Sequence, residues 1–525
     1  MKTTLAIGAA ALVALTAPTM AQQAVPDELT IGMSVTPSTL DVHLSALGSD
    51  EQYYRHVYDP LVQSDPDLQP VPALATSWEL IDDTTWEFEL REGVTFHDGS
   101  EFNAEDVKFS LDRLGTVPGS DGLNAEKMDA IEELEIVDPL TIRIHTKEPT
   151  PDLLSRLYQQ FIISNELPQD VATEDFNSGE AAIGTGPFEF ESWQRGEALV
   201  LTANEDYWGG APLVDRIVMR EMANDGARVA ALLAGDVDMV DAVPPLDVAR
   251  LNQAGDVNIV TGPSSRTIFL QFNTAAETAP MTTAKGGGAL EENPFRDPKV
   301  REAISLAVNQ DLIVDRVMEG LATVANQPLP EGFEGSARDL GAPTYDVDRA
   351  RELLAEAGYE DGFATVLACS NDRYINDAKI CQAAGQMLAA IGIDATVETM
   401  PKSVYFGRMR EGEFPFFMLG WGNSQGTATS VLKSVVATKD DEAGYGSWNG
   451  GFSDPEVDAL IKEGEVLMDP EARDDALAEA TALAMERHAV VPLHQQPVVV
   501  GMRGDYPYTT YQDEGFRAFL IGKEE

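Results

Sequence analysis

The sequence predicts an α/β protein with mixed sheets, and three observations lead there. Stretches that alternate apolar and polar residues at period two are interspersed along the chain with stretches of helical spacing. No internal repeat occurs at the roughly 20–50-residue periods of solenoids and propellers. The 525 residues correspond to about three domain-sized units, enough to bury sizeable cores.

Taken in order, the elements justify that class. Met1-Lys2 and the apolar run Leu5–Leu15, followed by Thr19-Met20-Ala21, have the pattern of a signal peptide over residues 1–21, cut after Ala21. No Cys lies near the cut, so no acyl anchor is expected, and no later apolar run approaches the ~20 residues of a membrane span. The mature chain is therefore expected to be exported and soluble. Trp86-Glu87-Phe88-Glu89-Leu90 and Thr141-Ile142-Arg143-Ile144-His145 alternate as half-buried strands do. Thr274–Asn293, with Lys285-Gly286-Gly287-Gly288, predicts a long flexible loop. No GxxxxGK[ST] motif exists, which argues against P-loop hydrolysis of ATP. A helix over Pro298–Met318 would turn Val300, Ala303, Ile304, Ala307 and Val308 inward. Asp346 caps a helix with Ala350, Leu353, Leu354 and Ala357 inside, ended by Gly358. Thr365–Cys369 predicts a strand and Ile375–Ala390 a helix. The two cysteines, Cys369 and Cys381, thus sit on neighbouring elements, as a disulfide staple or as buried thiols; no metal-ligand spacing surrounds them. Ser453-Asp454-Pro455 opens another helix, with Val457, Leu460, Ile461 and Met468 inward.

Charge excludes several functions. Against 36 Lys and Arg stand 88 Asp and Glu, a net charge of −52. The acids are spread along the whole chain rather than gathered in a tail. Such a surface repels DNA, RNA and anionic lipid, so no nucleic-acid partner is expected.

Longer motifs are more specific. Leu74-Ala-Thr-Ser-Trp78 to Asp83, Trp86 to Arg91, Val94-Thr-Phe96-His-Asp-Gly99 and Phe102-Asn-Ala-Glu-Asp106 resemble the extracytoplasmic solute-binding proteins of family 5, the peptide, nickel and opine binders of ABC importers. Leu40-Asp-Val-His43, Tyr58-Asp-Pro-Leu61, Gly184-Thr-Gly-Pro-Phe188, Asn204 to Trp208, Pro298-Lys-Val-Arg301 and Tyr345–Tyr359 agree with it in order. The resemblance implies a two-lobed periplasmic binding protein of the large cluster C type, with mixed sheets, a hinge and an extra inserted domain. One lobe would comprise residues 22–60, 182–270 and 490–525, the inserted domain 61–181, and the second lobe 271–489. Hinge strands would lie near Ile268–Asn273 and Val491–Gln495. Ligand binds between the lobes and closure encloses it.

The same resemblance implies the ligand groups. An Arg in the second lobe pairs with a peptide carboxylate beside a Tyr, and the matching segment is Asn371-Asp372-Arg373-Tyr374. The planar guanidinium of Arg373 suits a bidentate carboxylate, unless it pairs on the surface with Asp372 or Asp377. The family places an acid for the peptide ammonium after a Gly-Trp pair. Here Gly420-Trp421-Gly-Asn423-Ser424-Gln425 contains no acid, and a buried ammonium without a counter-charge is costly. Asn423, Ser424 and Gln425 would offer neutral hydrogen bonds instead. Trp421, Trp448 and Asn449 are expected to line the cleft, with Ser34–Leu40 as the opposite wall.

The expected function is that of a periplasmic receptor, monomeric by default, that hands a short peptide or peptide-like carboxylated solute to ABC permease subunits. It binds without turnover and needs no cofactor. A glutathione-like solute, opine or nickel chelate is the alternative cargo. The six histidines show no helical i, i+4 pair, which gives a dedicated metal site little support. Gly422-Asn-Ser424-Gln-Gly426 also matches G-x-S-x-G, with His488 and His494 downstream, so a secreted serine hydrolase is a minor alternative.

Overall fold

The computed structural model describes residues 25–120, 124–125 and 128–523. The expected signal segment, residues 1–21, lies outside the described residues. A mixed sheet of 12 strands runs through the molecule. Val257–Phe272 and Val490–Arg503 form its antiparallel centre. On one side follow Met239–Val240, Glu28–Met33, Arg216–Glu221, Ala198–Ala203 and Phe188–Gln194. On the other follow Phe416–Trp421, Phe363–Ser370 and Thr283–Ala284, with Asp394–Met400 paired to Phe363–Ser370.

The ladder between the two central strands is interrupted. Val257–Pro263 pairs with Pro497–Arg503 and Thr267–Gln271 with Val490–Gln495, while Thr267–Phe272 also pairs on its other edge with Phe416–Trp421. Register shifts between Pro263 and Thr267, directly after Pro263 stands opposite Pro497. Neither proline has an N–H to donate, so the ladder is weakest at this point.

Separate cores serve each part. Leu29, Ile31, Ile217 and Met219 pack in the first lobe with Tyr53, Tyr54 and Phe188. In the second lobe, Ile268, Leu270, Leu367 and Met418 pack against the helices Pro298–Ala307, Val347–Glu356 and Asp377–Leu388. Within the sequence of the first, between Tyr54 and Phe188, Ala75–Asp82, Thr85–Leu90, Thr141–Thr146 and Ile131–Asp138 form a 4-stranded antiparallel sheet. Trp86, Phe88 and Leu90 point to its core together with Ile142 and Ile144, as period-two alternation demands.

Asp346 and Asp454 cap their helices, accepting from Arg349 N at 2.9 Å and Glu456 N at 3.0 Å. Two expectations are corrected. The helix expected over Pro298–Met318 is two, Pro298–Ala307 and Gln310–Arg316. Val308 is extended and Asn309 caps the second helix through Leu312 N, because a capping Asn competes well with helix continuation. The loop Thr274–Asn293 is partly ordered: Thr283–Ala284 pairs with Phe363–Ala364, and Ala284 N donates to Gly288 O at 2.7 Å. Among the described residues no helix is long and apolar enough to cross a membrane.

Candidate functional site

A cavity of about 570 Å³ opens beside this interruption. First-lobe residues Ser34, Val35 and Ala242–Pro245 form one wall, Arg373–Asn376 of the second lobe the other, and Gln496–Val499 the floor. Arg373 lies on the turn between the strand Phe363–Ser370 and the helix Asp377–Leu388. A disulfide joins Cys369 to Cys381 across this strand and helix, with Cα atoms 6.7 Å apart. Asp377 Oδ2 accepts from Ser370 Oγ at 3.0 Å and from Arg373 N at 3.1 Å. Asn376, in the left-handed region, donates to Val317 O at 2.9 Å. The turn is therefore fixed before any ligand arrives.

The Arg373 side chain is exposed to the cleft and lies 5.2 Å from the Tyr374 ring centroid. Among the described residues it makes no ion pair. Asp372 instead accepts from Lys402 N at 2.7 Å, and Asp377 is spent on the turn. Lost hydration, then the positive charge of Arg266, hold the Arg373 guanidinium below its ordinary pKa. The opposite charge of a carboxylate placed there would offset both effects. Tyr374 is buried and donates its hydroxyl to Gly420 O at 3.2 Å. A Cβ on Gly420 would stand 2.7 Å from the Tyr374 ring, so the glycine makes room for the tyrosine.

Arg266 and Glu514 form the pair beside it, at 2.8 Å. Burial acts to raise the Glu514 carboxyl, but the Arg266 charge prevails and holds it below its usual range. Gln496 donates to Glu514 Oε1 at 3.2 Å and accepts from Ile375 N at 3.1 Å. One network thus joins both central strands, the C-terminal segment and the Arg373 turn. Ser34 is held by Asp241, 2.7 Å from its hydroxyl. Sequence reasoning missed Arg266, Glu514 and Asp241. No local pattern marks them, since Arg266 meets Glu514 across 248 positions and Asp241 meets Ser34 across 207.

A second chamber of about 180 Å³ adjoins the first and contains Gln52, Arg55, Gln159 and Ser424. Gln159 Nε2 donates to Ser424 Oγ at 3.2 Å and to Glu51 Oε2 at 2.9 Å. Gly422 packs here, where a Cβ would meet Arg266 Nη2 at 2.7 Å. Gln425 faces a third cavity, of about 1300 Å³, between the inserted domain and the second lobe. Its carbonyl accepts from Ser155 Oγ at 3.2 Å.

Other expected ligand residues are used elsewhere. Asn423 is 2% exposed. Its Oδ1 accepts from Gln425 N at 3.1 Å and its Nδ2 donates to Thr427 O, so it shapes the loop. Asn449 closes another loop, donating to Val436 O at 2.9 Å and accepting from Phe452 N at 2.7 Å. The amides of both are thus engaged within their own loops. Trp421 donates to Ser430 Oγ at 3.0 Å, and its ring lies 6.4 Å from that of Trp448. Trp448 also packs edge-on against Phe406 at 5.5 Å. Both are half-buried against the second-lobe core and line none of the three cavities. Ser424 has Gln159 rather than a His as its hydrogen-bond partner, and His494 is fully buried in the central strand. The nucleophile–base contact of a hydrolase is absent among the described residues.

Comparison with known proteins agrees with this architecture. The family model described as bacterial extracellular solute-binding proteins, family 5 (middle), matches residues 69–443. The chain is 28% identical over 491 residues to heme-binding protein A of Haemophilus influenzae, covering 88% of this chain and 85% of that one. It is 28% identical over 441 residues to the glutathione-binding protein GsiB of Pectobacterium atrosepticum, covering 82% and 80%. It also resembles the structure of the ABC transporter-associated periplasmic binding protein DppA from Helicobacter pylori in complex with the peptide STSA. There the TM-score is 0.78 at 26% identity, covering 95% of this chain and 98% of that one. The match spans well over half of the chain, and the chain therefore belongs to the bacterial extracellular solute-binding proteins of family 5.

Proposed function

We propose that this protein is the periplasmic substrate-binding component of an ABC importer. It captures a short peptide or peptide-like carboxylated solute between its lobes and delivers it, as a monomer, to membrane permease subunits. The observation that carries the reading is Arg373, a guanidinium in the cleft with no ion pair among the described residues. The lobes expected from sequence, residues 22–60, 182–270 and 490–525 against 271–489 with 61–181 inserted, are adjusted at the central strands, because Ile268, Leu270, Val491 and Leu493 pack with the second lobe. Closure bends the chain at 263–267 and 495–497, where the central ladder is interrupted, just before the first stretch expected from sequence and at the end of the second. Cleavage after Ala21 releases the mature chain into the periplasm.

A second reading, a glutathione-like solute, is favoured by the relatives named for glutathione and by the lack of an acid at Gly422–Gly426. Thermal melting with dipeptides, glutathione and their C-terminal carboxamides tests both, since a ligand of the folded state raises Tm. Carboxylates should raise it and carboxamides should not. In Arg373→Ala, carboxylate affinity should fall about 10-fold to 100-fold, the loss of a charge-assisted pair worth about 1.5–3 kcal/mol. Equal shifts with acids and amides would sink the reading.

A further inference from the structure

The smaller chamber contains a buried charge whose hydrogen-bonding capacity is unused. Arg55, on the helix Gly48–Val57, has a side chain only 8% exposed. A guanidinium carries five N–H donors, yet this side chain donates no hydrogen bond among the described residues. Its charge neighbours are Glu51 at 3.7 Å and Asp513 at 3.6 Å, both beyond hydrogen-bond length. Asp513 is already held by Arg517, at 2.7 and 3.0 Å. Burial, then the like charge of Arg517, lowers the Arg55 pKa. The chamber therefore presents an incompletely solvated cation.

Charge balance narrows what can enter. Arg55 and Arg266 face Glu51 and Asp513 across this chamber. Arg266 is satisfied by Glu514 at 2.8 Å. A lone anion or a lone cation would leave a net buried charge, which is costly. A zwitterion would not. Arg55 Nη2 and Glu51 Oε2 lie 3.7 Å apart, side by side on the chamber wall, so a carboxylate in the chamber can meet the guanidinium while an ammonium on the same carbon meets the carboxyl. Gln159 and Ser424 add neutral polar groups to the wall. The two chambers share Gly48, Gln52, Arg266 and Asp513, so one molecule can occupy both.

We infer that Arg55 and Glu51 form a subsite for an α-amino-acid head group, so that the preferred cargo carries an ammonium and a carboxylate on one carbon and a second carboxylate for Arg373. A γ-glutamyl compound has this arrangement; an ordinary peptide does not, because its N-terminal residue has no α-carboxylate. This rests on the solute-capture reading above and specifies its substrate class.

Isothermal titration of the purified protein with γ-glutamylglycine, α-glutamylglycine and N-acetyl-γ-glutamylglycine tests it. The two isomers have the same formula and charge. The γ isomer should bind about 10-fold tighter or more, the value of a buried charge-assisted pair, and acetylation should abolish that advantage. Arg55→Lys keeps the charge but loses the planar fork, and should bring the isomers within about 3-fold of each other with Tm unchanged. Isomers of equal affinity, or a preference that survives Arg55→Lys, would overturn the subsite while leaving capture of carboxylates through Arg373 standing. Silence with all three compounds would overturn both.

Discussion

His494 sits in the central strand, fully buried, and neither ring nitrogen has a hydrogen-bond partner among the described residues. Burial depresses its pKa from 6.5 to about 4. The unfolded chain takes up this proton near pH 6.5 and the folded one resists it. The stabilisation is therefore complete above about pH 6.5 and is lost as pH falls towards 4, an effect of about 3 kcal/mol. His56 behaves alike: its Nε2 accepts from Ala518 N at 2.9 Å, which requires the neutral ring, and its pKa is lowered to about 4, burial being the main cause. Asp59 acts the other way. Burial pushes it up to about 6, against hydrogen bonds from Trp208 at 2.8 Å, Thr185 at 2.9 Å and Tyr207 at 3.1 Å. Its cost appears as pH rises from 3.8 to about 6. The histidines outnumber it, so Tm should fall on acidification between pH 6.5 and 4. His494→Leu should shallow that fall by about one proton in a pH series of melts. An unchanged slope would mean that His494 does not titrate with unfolding.

At the level of strands and helices, the Arg373 turn depends on its flanking supports. The disulfide closes a segment of 12 positions between a strand and a helix whose facing residues are buried. A loop of that size is worth about 3 kcal/mol in the chain-entropy account. Cys369→Ser with Cys381→Ser should therefore lower Tm clearly, and a reductant should do the same to the unmodified protein but not to the variant. Affinity for a carboxylate should fall less than in Arg373→Ala, because Asp377 and Asn376 still hold the turn. A double variant that melts like the original would show that the staple adds nothing to packing. The central strands follow the same logic: their ladder is interrupted after Pro263 opposite Pro497 and shifts register again between Ile268 and Phe269, so bending is concentrated where few hydrogen bonds resist it.

Over the molecule as a whole, a net charge of −52 repels itself. Folding brings these carboxylates closer together than the unfolded chain does, and salt screens them over about 10 Å at 0.1 M. Raising NaCl from about 0.01 to 1 M should raise Tm by several degrees. A Tm that is flat or falling would show that the ion pairs, such as Arg216 with Glu191 at 2.7 Å and Arg338 with Asp475 at 2.8 Å, outweigh the repulsion. Salt should weaken binding less than it alters Tm, because Arg55 is buried and buried pairs are poorly screened.

Local patterns in the sequence were enough for the strands around Trp86 and Ile142, the caps Asp346 and Asp454, the strand-to-helix unit carrying Cys369 and Cys381, and the family itself. Each depends on neighbours within a few positions or on a motif read in order. The Arg373 turn was legible for the same reason. What lay beyond reach was which polar side chains would be satisfied. Asn423 and Asn449 look like ligand groups in the sequence, and only the folded loops consume their amides. Arg55 looks like an ordinary helix-surface arginine until the folded chain buries it near Asp513 and Arg517. Arg266 meets Glu514 across 248 positions. Burial and pairing are properties of distant segments brought together, and they determine which charges in the cleft remain available to a ligand.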